Sequence, residues 1–117
     1  LPKNTEEEKA AREKIMESAL YEASVVPMEI METVLSSMDL LETLGEKGSR
    51  LALSDVGVGI LFAQAALEGA SLNVFINTRL MKDRSQAEEL NARADRMIAE
   101  GREKKGRIYS QVLQSVK

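Results

Sequence analysis

The sequence has no cysteine, no histidine and no tryptophan, only two prolines among 117 residues, and 3% aromatic side chains. Without cysteine there is no disulfide and no thiolate nucleophile. Without histidine as well, thiolate and imidazole metal sites are excluded, as is any Ser-His-Asp arrangement drawn from this chain alone. No metal site is expected. The chemistry that remains belongs to carboxylates, lysine, arginine, hydroxyls, amides or groups of the substrate. Few aromatics, set against plentiful Ala, Leu, Met and Glu, favour helices over sheets. The length suits one domain or part of one. The expected fold is all-α, a helical bundle, with residues 1–117 forming a single helical domain or a fragment of a larger one.

Positive charge is scarce at one end and negative charge at the other. Residues 1–47 carry 5 basic and 11 acidic groups, whereas residues 79–117 carry 10 basic and 6 acidic groups, for a chain total of −3. The basic end interleaves its cations with acids and has a single aromatic, Tyr109, for stacking bases, so a solvated helix face is expected there and not a nucleic-acid surface. The segment starts at Leu1, and neither a signal peptide nor a membrane span is recognised. A soluble, cytoplasmic piece of a larger polypeptide is the expectation.

Between residues 51 and 77 the only charges are Asp55 and Glu68. Val56–Leu67 is apolar on every side apart from Gln64 and two glycines, which marks a helix inside a protein or a bilayer. A bilayer needs about 20 apolar residues, and Gln64, Glu68 and Asn73 interrupt this run. The reading is a buried central helix starting at an Ser54 N-cap, broken or bent near Gly69, and resuming over Ala70–Leu80. Gly57 and Gly59 suit close helix packing. A lone Gly-Val-Gly with no preceding strand is not a dinucleotide fingerprint.

Before this stretch, Leu1–Asn4 reads as an extended entry and Thr5-Glu6-Glu7-Glu8 as a capping box. Ile15, Ala19, Ala23, Val26, Ile30, Val34, Met38 and Leu41 then recur every three or four residues as one helical stripe. Pro27 falls within it and predicts two helices or a kinked one. Gly45 and Gly48 stop the helix, and Glu46–Leu53 is a short connection. Near the C-terminus, Asp83 caps a last helix whose stripe runs through Ala87, Leu90, Ala94, Met97, Gly101, Lys105, Ile108 and Val112. Gly101 and Gly106 weaken that helix by about 1 kcal/mol each relative to Ala, so its end needs a neighbour. The six methionines read as flexible core filler.

The polar groups of the central stretch are costly to bury without partners. Asp55, next to the Ser54 cap, would sit in the first turn, where free amides and the helix dipole stabilise a carboxylate. It is either a plain helix-start residue or a carboxylate that receives paired N–H donors of a ligand. Asn73 and Asn77 are four apart and share a helix side. They either bond across helices or recognise a heterocycle. Arg79, Lys82 and Arg84 follow, as a solvated cluster or as a hold for an anionic tail.

Three segments together, LPKNTEEEKAAR at Leu1–Arg12, SDVGV at Ser54–Val58 and ALEGASLNVFIN at Ala66–Asn77, resemble the formiminotetrahydrofolate cyclodeaminase and methenyltetrahydrofolate cyclohydrolase family of folate enzymes. This domain stands alone in bacteria and forms the C-terminal part of formiminotransferase-cyclodeaminase. The likeness runs from Leu1 to about Glu100. It implies an all-helical, homo-oligomeric protein that acts on a tetrahydrofolate derivative, mono- or polyglutamylated, with no tightly bound cofactor. The implied reaction is closure of 5-formiminotetrahydrofolate to 5,10-methenyltetrahydrofolate with loss of ammonia. Related members interconvert methenyl- and 10-formyl-tetrahydrofolate with water. A non-catalytic folate-binding or dimerisation module is the remaining alternative. The family domain is longer than this chain, which corresponds to its C-terminal half or somewhat more. On this resemblance Asp55 would bind the pterin or assist proton transfer, Ser54, Asn73 and Asn77 would orient the ring, and Arg79 and Lys82 would meet the glutamate tail.

Overall fold

Two of the helices begin where a side chain satisfies a backbone amide left over at the helix start. The computed structural model describes residues 5–48 and 50–117, so the extended entry expected over Leu1–Asn4 lies outside them. Three helices account for the chain, α1 (Glu6–Lys47), α2 (Arg50–Thr78) and α3 (Arg84–Val116), with no strand among the described residues. The Thr5 hydroxyl accepts the Glu8 amide at 3.1 Å and the Asp83 carboxylate accepts the Gln86 amide at 3.0 Å. The N-caps expected at Thr5 and Asp83 are therefore formed.

The helices run up, down and up as an elongated bundle of 70 × 22 × 17 Å. Cross-contacts give the directions. Asn77 reaches Ala23 between α1 and α2, Arg102 reaches Glu68 between α2 and α3, and Glu32–Arg93 and Asp39–Lys104 join the parallel pair α1 and α3. Met31, Met38, Ile60, Leu67, Val74, Ala87, Ala94 and Ile108 fill the centre. Of the methionines, Met28, Met31, Met38 and Met81 are core, but Met16 is exposed.

One open choice is narrowed and three expectations are corrected. First, α1 is one helix that contains Pro27. Proline has no N–H, so the carbonyl of Ala23 lacks its helical donor. The side-chain amide of Asn77 supplies one at 3.1 Å. Secondly, α2 continues through Gly69 without a break and begins at Arg50, so Ser54 lies inside the helix and is not its cap. Asp55 is likewise past the first turn, beyond the strongest part of the helix dipole. Thirdly, α1 buries Leu20, Ser24, Pro27, Met28, Met31, Leu35 and Met38, and leaves Ile15, Val26 and Ile30 outside. Its inward face is rotated by about one residue from the expected stripe. Lastly, α2 is buried on one side only: Val56, Ile60, Gln64, Leu67, Ser71, Val74 and Thr78 face its neighbours, while Val58, Phe62, Leu72 and Ile76 are exposed. By length and composition Ala52–Thr78 could cross a membrane. Of its buried polar groups, Thr78 donates to Asn91 of α3, whereas Gln64 and Ser71 donate to Glu68 within α2.

Candidate functional site

Asp55 stands on the wall of an apolar cleft where α1 ends and α2 begins. Leu41, Leu44 and Lys47 of α1, with Gly48 that follows the helix, face Ala52, Asp55 and Val56 of α2 around about 300 Å³. That volume is at the lower end for a small-molecule site. The leucines, Ala52 and Val56 supply apolar walls, and among the described residues the only ionisable groups are one carboxylate and one ammonium. No ion pair joins Asp55 to Lys47 among the described residues, so the carboxylate is open to a donor pair from a ligand. Lys47 was not singled out by the sequence because it sits in an ordinary charged helix end.

Apart from Ser54, which adjoins Asp55, the other expected site residues are at or just past the opposite end of α2. A helix rises about 1.5 Å per residue, which places Asn73 and Asn77 roughly 27–33 Å from Asp55 along the axis. Within one chain these three do not share a cavity. Asn77 is committed to the Ala23 carbonyl and to the Asn73 carbonyl, at 3.1 and 2.9 Å. This is the interhelical bonding that stood beside the heterocycle reading. The Asn73 side chain is exposed, as are Arg79 and Ser54.

Lys82 belongs to a clamp on the α2–α3 turn. Its ammonium lies 3.0 Å from the Glu13 carboxylate, which that hydrogen bond and charge hold below the usual carboxylate range. The two oxygens of Glu17 accept the backbone amides of Lys82 and Asp83 at 2.8 and 3.0 Å. Arg84 donates to the carbonyls of Thr78 and Met81. Glu13 and Glu17 are four apart on α1, a spacing that puts both on one side. That was the signal available for this pair.

A second polar set lies where α2 meets α3. Gln64 is buried and donates to Glu68 at 2.9 Å, and Glu68 also receives Arg102 at 3.1 Å. The Gln64 amide, then Arg102, pull the Glu68 carboxyl below its ordinary value. The Gln64 carbonyl oxygen has no hydrogen-bond donor and lies over Gly101, where a Cβ would come within 2.5 Å of it and 2.3 Å of Leu67. Gly101 is thus required for close helix approach. Among the described residues no group of acids could hold a metal ion.

Residues 1–96 match the family described as Formiminotransferase-cyclodeaminase. The chain belongs to this family. Within the formiminotransferase-cyclodeaminase family it is 40% identical over 116 residues to a methenyltetrahydrofolate cyclohydrolase of Methylorubrum extorquens, covering 99% of this chain and 56% of that protein. It is 32% identical over 102 residues to the formimidoyltransferase-cyclodeaminase of Rattus norvegicus, covering 87% of this chain and 19% of that protein. The corresponding protein of Gallus gallus is 31% identical over 103 residues, again covering 19% of its length. The chain therefore spans about half of the bacterial relative and about a fifth of the animal ones.

Proposed function

We propose that this chain acts in folate one-carbon chemistry, making or opening the 5,10-methenyl bridge of tetrahydrofolate. One observation carries the reading: in a member of this family, a carboxylate with no ion-pair partner among the described residues lines an apolar cleft. In cyclodeamination, N10 attacks the formimino carbon, the new N–C bond forms, and the former imino nitrogen departs as ammonia. The step needs N10 held against that carbon, a proton taken from N10 and a proton given to the departing amine. In cyclohydrolysis, water adds to the methenyl carbon, and the bond to N5 breaks to leave the 10-formyl product. Substrate or solvent supplies the nucleophile in both, which suits a chain with neither His nor Cys. The 40% identity to a named cyclohydrolase over almost the whole chain favours the hydrolytic direction.

In this reading Asp55 accepts N–H bonds from the pterin or assists proton transfer, Ser54 lies beside it, and Lys47 sits across the cleft. Asn73, Arg79 and Lys82 meet the same folate, or its glutamate tail, only from a neighbouring subunit of a homo-oligomer. We place the protein in the cytoplasm, with no tightly bound cofactor.

Methenyltetrahydrofolate has its own ultraviolet absorbance, so incubation with formimino-, formyl- or methenyl-folate reads turnover directly. Asp55→Asn is expected to lower turnover by about 10²-fold or more, the usual scale for a lost proton-transfer group. Unchanged turnover and folate affinity in that variant would remove Asp55 from the site. Thermal stabilisation by folate without turnover would identify a binding module instead.

A further inference from the structure

The α1–α2 pair leaves a long apolar face uncovered on the side away from α3. α3 occupies the other side, held to α1 through Glu32–Arg93 and to α2 through Glu68–Arg102. On the open side Phe62 is 71%, Leu72 68% and Ile76 63% exposed. Together with Val58, Ala65 and Gly69 they form a helical stripe with no charge in it. The neighbouring strip of α1 exposes Val26 and Ile30, and Leu40 and Leu44 carry it to the mouth of the Asp55 cleft. Gly69 is in mid-helix, and a Cβ there would meet nothing within 4 Å. Inside this chain that helix-weakening glycine has no packing role. A contiguous apolar face of this extent marks an interaction surface.

We propose that this face seats an amphipathic helical segment equivalent to the part of the longer relatives that the chain does not match. A little under half of the bacterial relative lies outside the match, enough for several helices. Such a segment must bury its own apolar stripe against another element. The stripe from Val58 to Ile76 is about 27 Å long, the footprint of one helix of ordinary length, and Gly69 at its middle lets that helix approach closely. A segment laid there also reaches Leu44 and supplies the missing wall of the cleft. This last consequence rests on the folate reading; the docking itself does not.

The test is to co-produce this chain with the unmatched part of the Methylorubrum extorquens cyclohydrolase as a separate polypeptide. A 1:1 complex is expected by light scattering, with backbone amides of α2 around Gly69 exchanging at least tenfold more slowly than in the chain alone. Phe62→Glu with Leu72→Glu should abolish the complex while circular dichroism keeps the helix content. Arg96→Glu, on the α3 side, should not affect it. Absence of a complex overturns the proposal. So does a homodimer disrupted by the same substitutions, or uptake of the chain by phosphatidylcholine vesicles in place of the segment. Complex formation that leaves folate turnover unchanged supports the docking and counts against the cleft as the reaction site.

Discussion

The side-chain amide of Asn77 donates to the carbonyl of Ala23, the group that Pro27 leaves without a donor in α1. One interhelical bond thus lets a proline sit inside a 42-residue helix and ties α2 to α1 near their shared end. Asn77→Ala should destabilise the chain by about 0.5–1.5 kcal/mol, the net worth of an ordinary hydrogen bond at a solvent-accessible site. Pro27→Ala restores the backbone N–H and should make Asn77→Ala cheaper. Urea denaturation of the double-mutant cycle is expected to give a coupling of about 0.5–1.5 kcal/mol. A coupling near zero would show that Asn77 is not there for the proline.

Glycines of α3 should respond in opposite senses. Gly101→Ala drives a methyl to 2.3 Å from Leu67 and 2.5 Å from Gln64, and overpacking of this kind costs about 1–3 kcal/mol. Gly106 has open space at its Cβ position, so Gly106→Ala should gain up to about 1 kcal/mol of helix propensity. Melting temperatures of the two variants check the signs.

Acid and alkali should each remove a different clasp. Glu68 has a folded-state pKa below its ordinary 4.5, through Gln64 first and Arg102 second. Its stabilisation is complete above that ordinary value and is lost as the pH falls through the lower folded one. Lys104 is raised above 10.5 by its bond to Asp39. Its contribution is complete below 10.5 and is lost as the pH rises through the higher folded value. Glu68→Gln should flatten the acid limb of melting temperature against pH and leave the alkaline limb unchanged, while Lys104→Met should do the reverse.

Glu17 is expected to hold the α2–α3 turn. Gln in its place keeps one acceptor oxygen and puts a donor where the second was, so one of the two turn amides loses its partner. Hydrogen exchange should speed up at Lys82 or Asp83 in Glu17→Gln, with little change in the middle of α2. Equal protection in both proteins would mean that the turn is held by Lys82–Glu13 and Arg84 alone.

The sequence determined what short-range physics can settle. The hydroxyl of Thr5 and the carboxylate of Asp83 mark two helix starts, and the single narrow apolar stripe of α3 permits only one inward face. The absence of His and Cys limited the chemistry, and three quoted segments pointed to the family. Tertiary structure decided the rest. α1 carries two apolar stripes, one through Met31 and one through Val26 and Ile30, and helical period cannot rank two faces that are both apolar. α2 is apolar nearly all round, so only the placement of its neighbours determines that Leu67 is inside and Phe62 outside. Four-residue spacing put Asn73 beside Asn77, but only the unbroken course of α2 through Gly69 shows that Asp55 lies too far away to share a pocket with them in one chain.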